Sequence, residues 1–356
     1  MKRLLSLFLA IVILAISCVA VNAASLGDGL DTLKTEFLPG EGPVVNGYSI
    51  DYRYFSPVKE SDSTKYPIVV WLHGLGEGKE EGAQIEENNI AYWASDEFQA
   101  RFDPAGGAFI IAARSREEMG ITWDNSMVEP LRAAIDDFIQ KNSANVDLSR
   151  IYVGGFSMGG KMTLKMAVAY PEMFAAAFPI CPAWAIGSDA AAVLADMPIW
   201  LTSGKLDPLV NYNLAVTPAW KTIVAASNVK EDCRFSTLKT VRYPDGKRTL
   251  SSHHAWFAVN YDMFAVDNGD YPDMTTENGL GEQVTLTYPD GMISWLSSHT
   301  SDFDGAKGVG IGNLADLDDT DSMITADSIS MFIDSVIEAI STFFENFFET
   351  IFNTVC

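Results

Sequence analysis

The stretch IYVGGFSMGG, Ile151 to Gly160, limits the fold of this chain more than any other segment. An apolar run ends in two glycines, Ser157 sits between Gly155 and Gly159, and a helical pattern starts at Met158. Glycine weakens strands and helices alike, so four of them at 154, 155, 159 and 160 need a steric reason. A very tight strand-to-helix turn supplies one. Neighbours without side chains let the backbone fold back and let the helix approach the strand. Gly155-Phe156-Ser157-Met158-Gly159 is a G-x-S-x-G pattern with a strand before it and a helix after it, which is the context that pattern requires. Ser157 is then pushed out at the carboxyl edge of a sheet. The helix N-terminus behind it favours developing negative charge.

The flanking sequence predicts the sheet. Tyr48 to Phe55 alternates and is aromatic; Tyr66 to Gly74 is an apolar strand running into a glycine loop; Phe109 to Ala113 is a third buried strand. Leu131, Ala134, Ile135 and Ile139 recur at helical spacing between charges, which predicts a helix over 129–141. A strand at 150–154, a helix at 158–170, and three strand patterns, MFAAAFPIC, MPIWLTSG and STLKTVRYP, follow. Strands alternating with helices imply a mostly parallel central sheet with helices on both faces, an α/β fold.

Charge excludes one class of function. The formal net charge of −23 over 356 residues leaves no basic face for a general nucleic-acid binder. At the N-terminus, Lys2 and Arg3 precede an apolar run from Leu4 to Ile16, and Val21-Asn22-Ala23 ends in small residues. Residues 1–23 thus read as a secretory signal, cut after Ala23 or Ala24, and the protein as secreted or cell-surface associated. An uncleaved anchor and lipidation of Cys18 are the alternatives. Export permits disulfides, so Cys181 and Cys233 form a candidate pair, with Cys356 left over.

Beyond residue 298 the composition shifts. Residues 299–325 are rich in Gly and Asp and read as a solvated linker whose aspartates do not follow a calcium-loop pattern. Residues 326–356 carry a sustained apolar stripe that includes Phe332, Phe343, Phe344, Phe347, Phe348 and Phe352, with Asp334, Glu338, Glu345 and Glu349 opposite. That is an amphipathic helix, suited to docking on its own domain, to self-association or to another surface component.

A serine nucleophile needs a base. The chain has four histidines, and in this architecture the order is serine, acid, histidine. His73 precedes Ser157 and belongs to the loop WLHGLGEG, where it reads as a structural residue. The backbone N–H groups of Leu75 in that loop and of Met158 are the candidate oxyanion donors. Asp207, just beyond a buried strand and a glycine in MPIWLTSGKLDPLV, is the candidate acid. His253 and His254, adjacent in SSHHAWFAVNYD, are equal candidates for the base, and His299 is a weaker one. Trp123, Trp184 and Trp256 read first as core aromatics. Trp184 and Trp256 follow strand ends near the site and are also candidate substrate-binding residues.

Five segments, YPIVVWLHGLGEG, RIYVGGFSMGG, YPEMFAAAFPIC, PIWLTSGKLDPLV and HHAWFAVNYDMF, together resemble the secreted predicted-peptidase group of α/β-hydrolases. That group is related to poly(3-hydroxybutyrate) depolymerase-like and feruloyl-type esterases and to the prolyl oligopeptidase catalytic domain. The resemblance covers about Tyr48 to Ser298. It implies an α/β-hydrolase catalytic domain over 24–298 and favours His253, which precedes x-Ala-Trp, as base with Ser157 as nucleophile and Asp207 as acid. It implies cleavage of a small-molecule or polymer-linked ester, or of a peptide, with no metal or organic cofactor. A noncatalytic surface-assembly protein is the competing class. The chain departs from the group in an insertion at 260–291, read as a lid or a surface hairpin, and in the linker and Phe-rich helix.

Overall fold

The computed structural model describes residues 27–241, 251–265, 273–287 and 289–305. The signal segment, most of the linker, the Phe-rich helix and Cys356 lie outside the described residues. Among the described residues no helix is long and apolar enough to cross a membrane.

The described residues form one nine-stranded sheet. Its strands are β1 (Leu38–Glu41), β2 (Asp51–Phe55), β3 (Tyr66–Leu72), β4 (Phe109–Arg114), β5 (Val146–Phe156), β6 (Ala176–Ile180), β7 (Trp200–Gly204), β8 (Arg234–Leu238) and β9 (Met274–Asn278). They lie in the order β1-β2-β4-β3-β5-β6-β7-β8-β9. Pairing is parallel from β4 through β8 and antiparallel at both edges. Parallel neighbours need crossovers, and helices supply them.

The apolar runs fill both faces. All seven residues of β3 are buried. Strand geometry sends successive side chains to opposite faces. Ile68, Val70 and Leu72 therefore join the helices α2 (Val128–Lys141), α3 (Met158–Ala169) and α4 (Thr217–Ala226) on one side. Val69 and Trp71 join α1 (Gly27–Lys34), the Ile90–Phe102 turns, the one-turn helix Trp256–Asn260 and α5 (Met292–Ser297) on the other. Each such side chain removed from water stabilises the fold by about 1.5–3 kcal/mol. The sheet is thus held rigid from both faces, and its carboxyl edge is a fixed platform.

The apolar pattern does not signal the two edge strands. β1, LPGE, is largely exposed, and its proline sits at an edge where a missing N–H is tolerated. β9, MTTEN, lies in the 260–291 insertion and completes the far edge of the sheet. Hydroxyl pairs hold it to β8: Ser236 Oγ with Thr276 Oγ1 at 2.7 Å, and Thr237 Oγ1 with Thr275 Oγ1 at 2.9 Å.

Candidate active site

Three loops at the carboxyl edge meet in one place. The first is the turn between β5 and α3. Ser157 has φ 57° and ψ −111°, outside the ordinary range for a residue with a side chain, and such backbones cost on the order of 1–3 kcal/mol. The surroundings hold it there. Ser157 N–H donates to Ile180 O at 2.8 Å, and its carbonyl accepts from Lys161 and Ala183 N–H at 2.9 and 3.2 Å. A Cβ on Gly155 would lie 2.5 Å from the Leu72 carbonyl, and one on Gly159 would overlap that carbonyl. The glycines therefore let α3 and the end of β3 close on the serine from two sides.

The second loop leaves β7. Asp207 Oδ1 accepts from Leu209 N–H at 2.8 Å and Val210 N–H at 2.9 Å, which fixes the carboxylate plane. Its Oδ2 lies 2.6 Å from His253 Nδ1. The third loop follows β8. His253 is 5% exposed, its ring packs on Phe156 at 4.6 Å between centroids, and its Nε2 lies 3.0 Å from Ser157 Oγ. The loop passes close over β7, because a Cβ on Gly204 would overlap Ser252 O. Nδ1 facing a carboxylate places the proton there and leaves Nε2 free to accept from the serine hydroxyl.

The other histidines are elsewhere. His254 turns away from the serine. Its Nδ1 is buried with no partner among the described residues, and burial, aided by His253, lowers its pKa to about 4. His73 is fully buried and neutral, lowered to about 4 by burial. Its Nδ1–H donates to Gly74 O at 2.7 Å, and its Nε2 accepts from Ser115 N–H at 3.2 Å. Trp123 Nε1 donates to His73 O at 2.9 Å. His73 thus pins the glycine loop to the end of β4. His299 stands edge-on to Trp295, beyond α5.

Among the described residues, neither Leu75 N–H nor Met158 N–H donates a hydrogen bond, so both proposed oxyanion donors are unclaimed. Trp184 and Trp256 are 4% and 5% exposed. Trp184 packs in the core beside α3, and Trp256 stacks on Phe257 at 3.8 Å, so both indoles fill the interior and offer no open face to a substrate.

Cys181 and Cys233 are both free, which corrects the expected pairing. They end up on different neighbours: Cys181 Sγ near Ser203 Oγ and His253 O, Cys233 Sγ near Ser227 Oγ and Met197 O. Cys181, Asp207 and His253 offer ligand atoms within 4.8 Å of one another. Burial, with Asp207 nearby, pushes the Cys181 thiol well up, and the carboxylate is committed to three hydrogen bonds. A cation needs a thiolate and a free carboxylate, and this set supplies neither.

Sequence reasoning missed a cluster behind the glycine loop. Glu77, Asn88 and Glu117 hydrogen-bond around it. The only hint was a carboxylate inside a glycine-rich turn, at Glu77.

Sheet order, the Ser157 turn and the three converging loops define an α/β-hydrolase. The phospholipase/carboxylesterase family model matches residues 113–241, a segment with Ser157 and Asp207 that stops before His253. NocK, a provisionally assigned esterase of Nocardia uniformis subsp. tsuyamanensis, is 30% identical over 181 residues, 49% of this chain and 51% of that protein. The crystal structure of a thermostable esterase is 26% identical and superposes with a TM-score of 0.54, covering 66% of this chain and 63% of the other. The chain therefore spans about half the length of the curated relative it matches. Its fold is that of the α/β-hydrolases, and the matched segments are similar to esterases.

Proposed function

We propose that the protein is a secreted serine hydrolase that cleaves carboxylic esters through an acyl-enzyme on Ser157. The observation that carries this reading is the single imidazole of His253 set between Ser157 Oγ at 3.0 Å and Asp207 Oδ2 at 2.6 Å. His253 Nε2 takes the hydroxyl proton as Ser157 Oγ attacks the ester carbonyl. Asp207 holds the imidazolium that forms. The N–H groups of Leu75 and Met158 receive the negative oxygen, and each such donor contributes about 10²–10³ in rate. Collapse of the tetrahedral species expels the alcohol, which takes the proton from His253. Water then repeats the sequence and releases the acid.

The substrate is an ester with an apolar portion. Leu75, Met119, Leu206, Leu209 and Leu214 are all exposed, and they sit on the segments that follow β3, β4 and β7. Exposed apolar side chains on segments that leave the carboxyl ends of these strands suit an apolar ligand. Secretion rests on the charged start, apolar run and small residues of 1–23.

The test is turnover of a panel of p-nitrophenyl esters and peptide anilides, with fluorophosphonate labelling of the folded protein. Ester cleavage and labelling that both vanish in Ser157→Ala are expected. Native-rate ester cleavage by Ser157→Ala would overturn the reading, and dominant anilide cleavage would make the protein a peptidase.

A further inference from the structure

We propose that Glu117 and Glu77 are positioning residues for the oxyanion loop, residues 73–78: their carboxylates take up the N–H groups of Gly74, Gly76 and Gly78 and leave that of Leu75 for the reaction centre. This rests on the hydrolase reading above.

Glu77 Oε2 accepts from Gly74 N–H at 2.6 Å. Glu117 accepts twice, Oε1 from Gly76 N–H at 2.8 Å and Oε2 from Gly78 N–H at 3.2 Å. Leu75 lies between the two anchors, and among the described residues its N–H donates no hydrogen bond. The loop is also close to the nucleophile: the Leu72 and His73 carbonyls occupy the space that a side chain on Gly159 would need. A donor works on a developing oxyanion only if it is already aimed, so the groups that fix the loop set its value. Two carboxylates from different segments are a costly way to tie a glycine turn that solvent could satisfy. Their cost is visible in Glu77, which burial raises to about 8 despite the Gly74 N–H and Asn88; Glu87 and Glu117 face it. Burial also raises Glu117, against the Gly76 and Gly78 N–H groups and Lys79, with Glu118 adding to the rise.

The anchor extends to the base. Asn88 Nδ2 donates to Glu77 Oε1 at 3.1 Å, Asn260 Nδ2 donates to Asn88 O at 2.7 Å, and Trp93 Nε1 donates to Asn260 O at 2.9 Å. Asn260 closes the one-turn helix that begins three residues after His253. One hydrogen-bonded chain therefore ties the donor loop to the segment carrying the imidazole.

The experiment compares the full chain with Glu117→Ala, Glu117→Gln, Glu77→Ala and Glu77→Gln. It reads kcat and KM on p-nitrophenyl acetate, Ki for phenylboronic acid, and Tm. A boronate adduct on serine puts an oxygen where the oxyanion forms. The Ala variants are expected to lose about tenfold to a hundredfold in kcat. Their boronate Ki should rise by the same factor while KM stays within about threefold. Glu77→Gln should recover most of both, whereas Glu117→Gln should recover only part, because its carboxamide has one accepting oxygen for two N–H groups. Folded Ala variants with kcat and Ki within twofold of the parent overturn the proposal. If the Ala variants do not fold, Glu117→Asp decides. It keeps the charge but falls short of both N–H groups, and unchanged kcat and Ki there overturn the proposal equally. Turnover by Ser157→Ala would instead sink the hydrolase reading, so the two failures are distinguishable.

Discussion

Asp207 divides its carboxylate between two tasks: Oδ1 accepts from the N–H groups of Leu209 and Val210, while Oδ2 meets His253 Nδ1 at 2.6 Å. The division makes Asp207→Asn informative. The carboxamide oxygen can keep both backbone bonds, so the loop should hold its shape. The amide NH₂ then faces Nδ1 and forces the proton onto Nε2, where it points at Ser157 and blocks proton abstraction. We expect kcat to fall by about 10³-fold or more with KM little changed and Tm within a few degrees. Steady-state kinetics with thermal melts check this; a mutant retaining a tenth of the parent kcat contradicts it.

Glu77 sets a pH dependence of stability. Its folded pKa, raised by burial to about 8, lies above the unfolded carboxylate value of 4.5. Between those values the unfolded chain gives up a proton that the folded chain keeps. Stability therefore falls as pH rises through this window and levels off above it, by about 1.4 kcal/mol per unit for a fully expressed shift. Glu77→Gln does not titrate. Its Tm relative to the parent should climb from pH 5 to pH 8 and then stay constant. Two parallel melting curves across that range would show that Glu77 ionises normally.

His73 and His254 act in the opposite direction. Both are held near 4 in the fold by burial, below the ordinary 6.5, so the unfolded chain binds protons first as pH falls. The stability they contribute is complete above about pH 6.5 and is lost toward pH 4. His73→Asn can keep the bond to Gly74 O, its amide nitrogen taking the place of Nδ1, and removes one titration. We expect a shallower loss of Tm between pH 6.5 and 4 in that variant. A slope equal to the parent's contradicts the assignment.

Trp256 separates core packing from substrate contact. It is 5% exposed and stacked on Phe257 at 3.8 Å. Trp256→Ala should lower stability by about 3–5 kcal/mol. Trp256→Phe, which keeps an aromatic in the same space, should leave KM for aryl esters unchanged. Urea melts and KM values check both. A large KM increase in a fully stable Trp256→Phe protein would return this side chain to the substrate.

Both described cysteines are fully buried, and burial raises both thiols. Neither should react with iodoacetamide in the folded protein, and both should react in 6 M guanidinium, as read by peptide mapping. Native-state alkylation of Cys181 would indicate opening of the wall between β6 and His253.

Local chemistry in the sequence determined the buried strands, the helix at 128–141 and the Ser157 turn. Apolar runs, helical spacing and glycine sterics act over a few residues and leave a pattern there. The order serine, acid, histidine was legible for the same reason, since each residue follows a recognisable strand. The residues alone left the two adjacent histidines equal and the family resemblance favoured His253; the contact itself is tertiary, since it joins residues 96 apart and its partner contact joins residues 46 apart. Tertiary structure alone decided that Cys181 and Cys233 stay apart, that Trp184 and Trp256 turn inward, and that polar β9 pairs through hydroxyls. The Glu77 and Glu117 anchors belong with these. A carboxylate in a sequence carries no sign of which backbone N–H it will find, since that depends on how separate loops pack at the edge of the sheet.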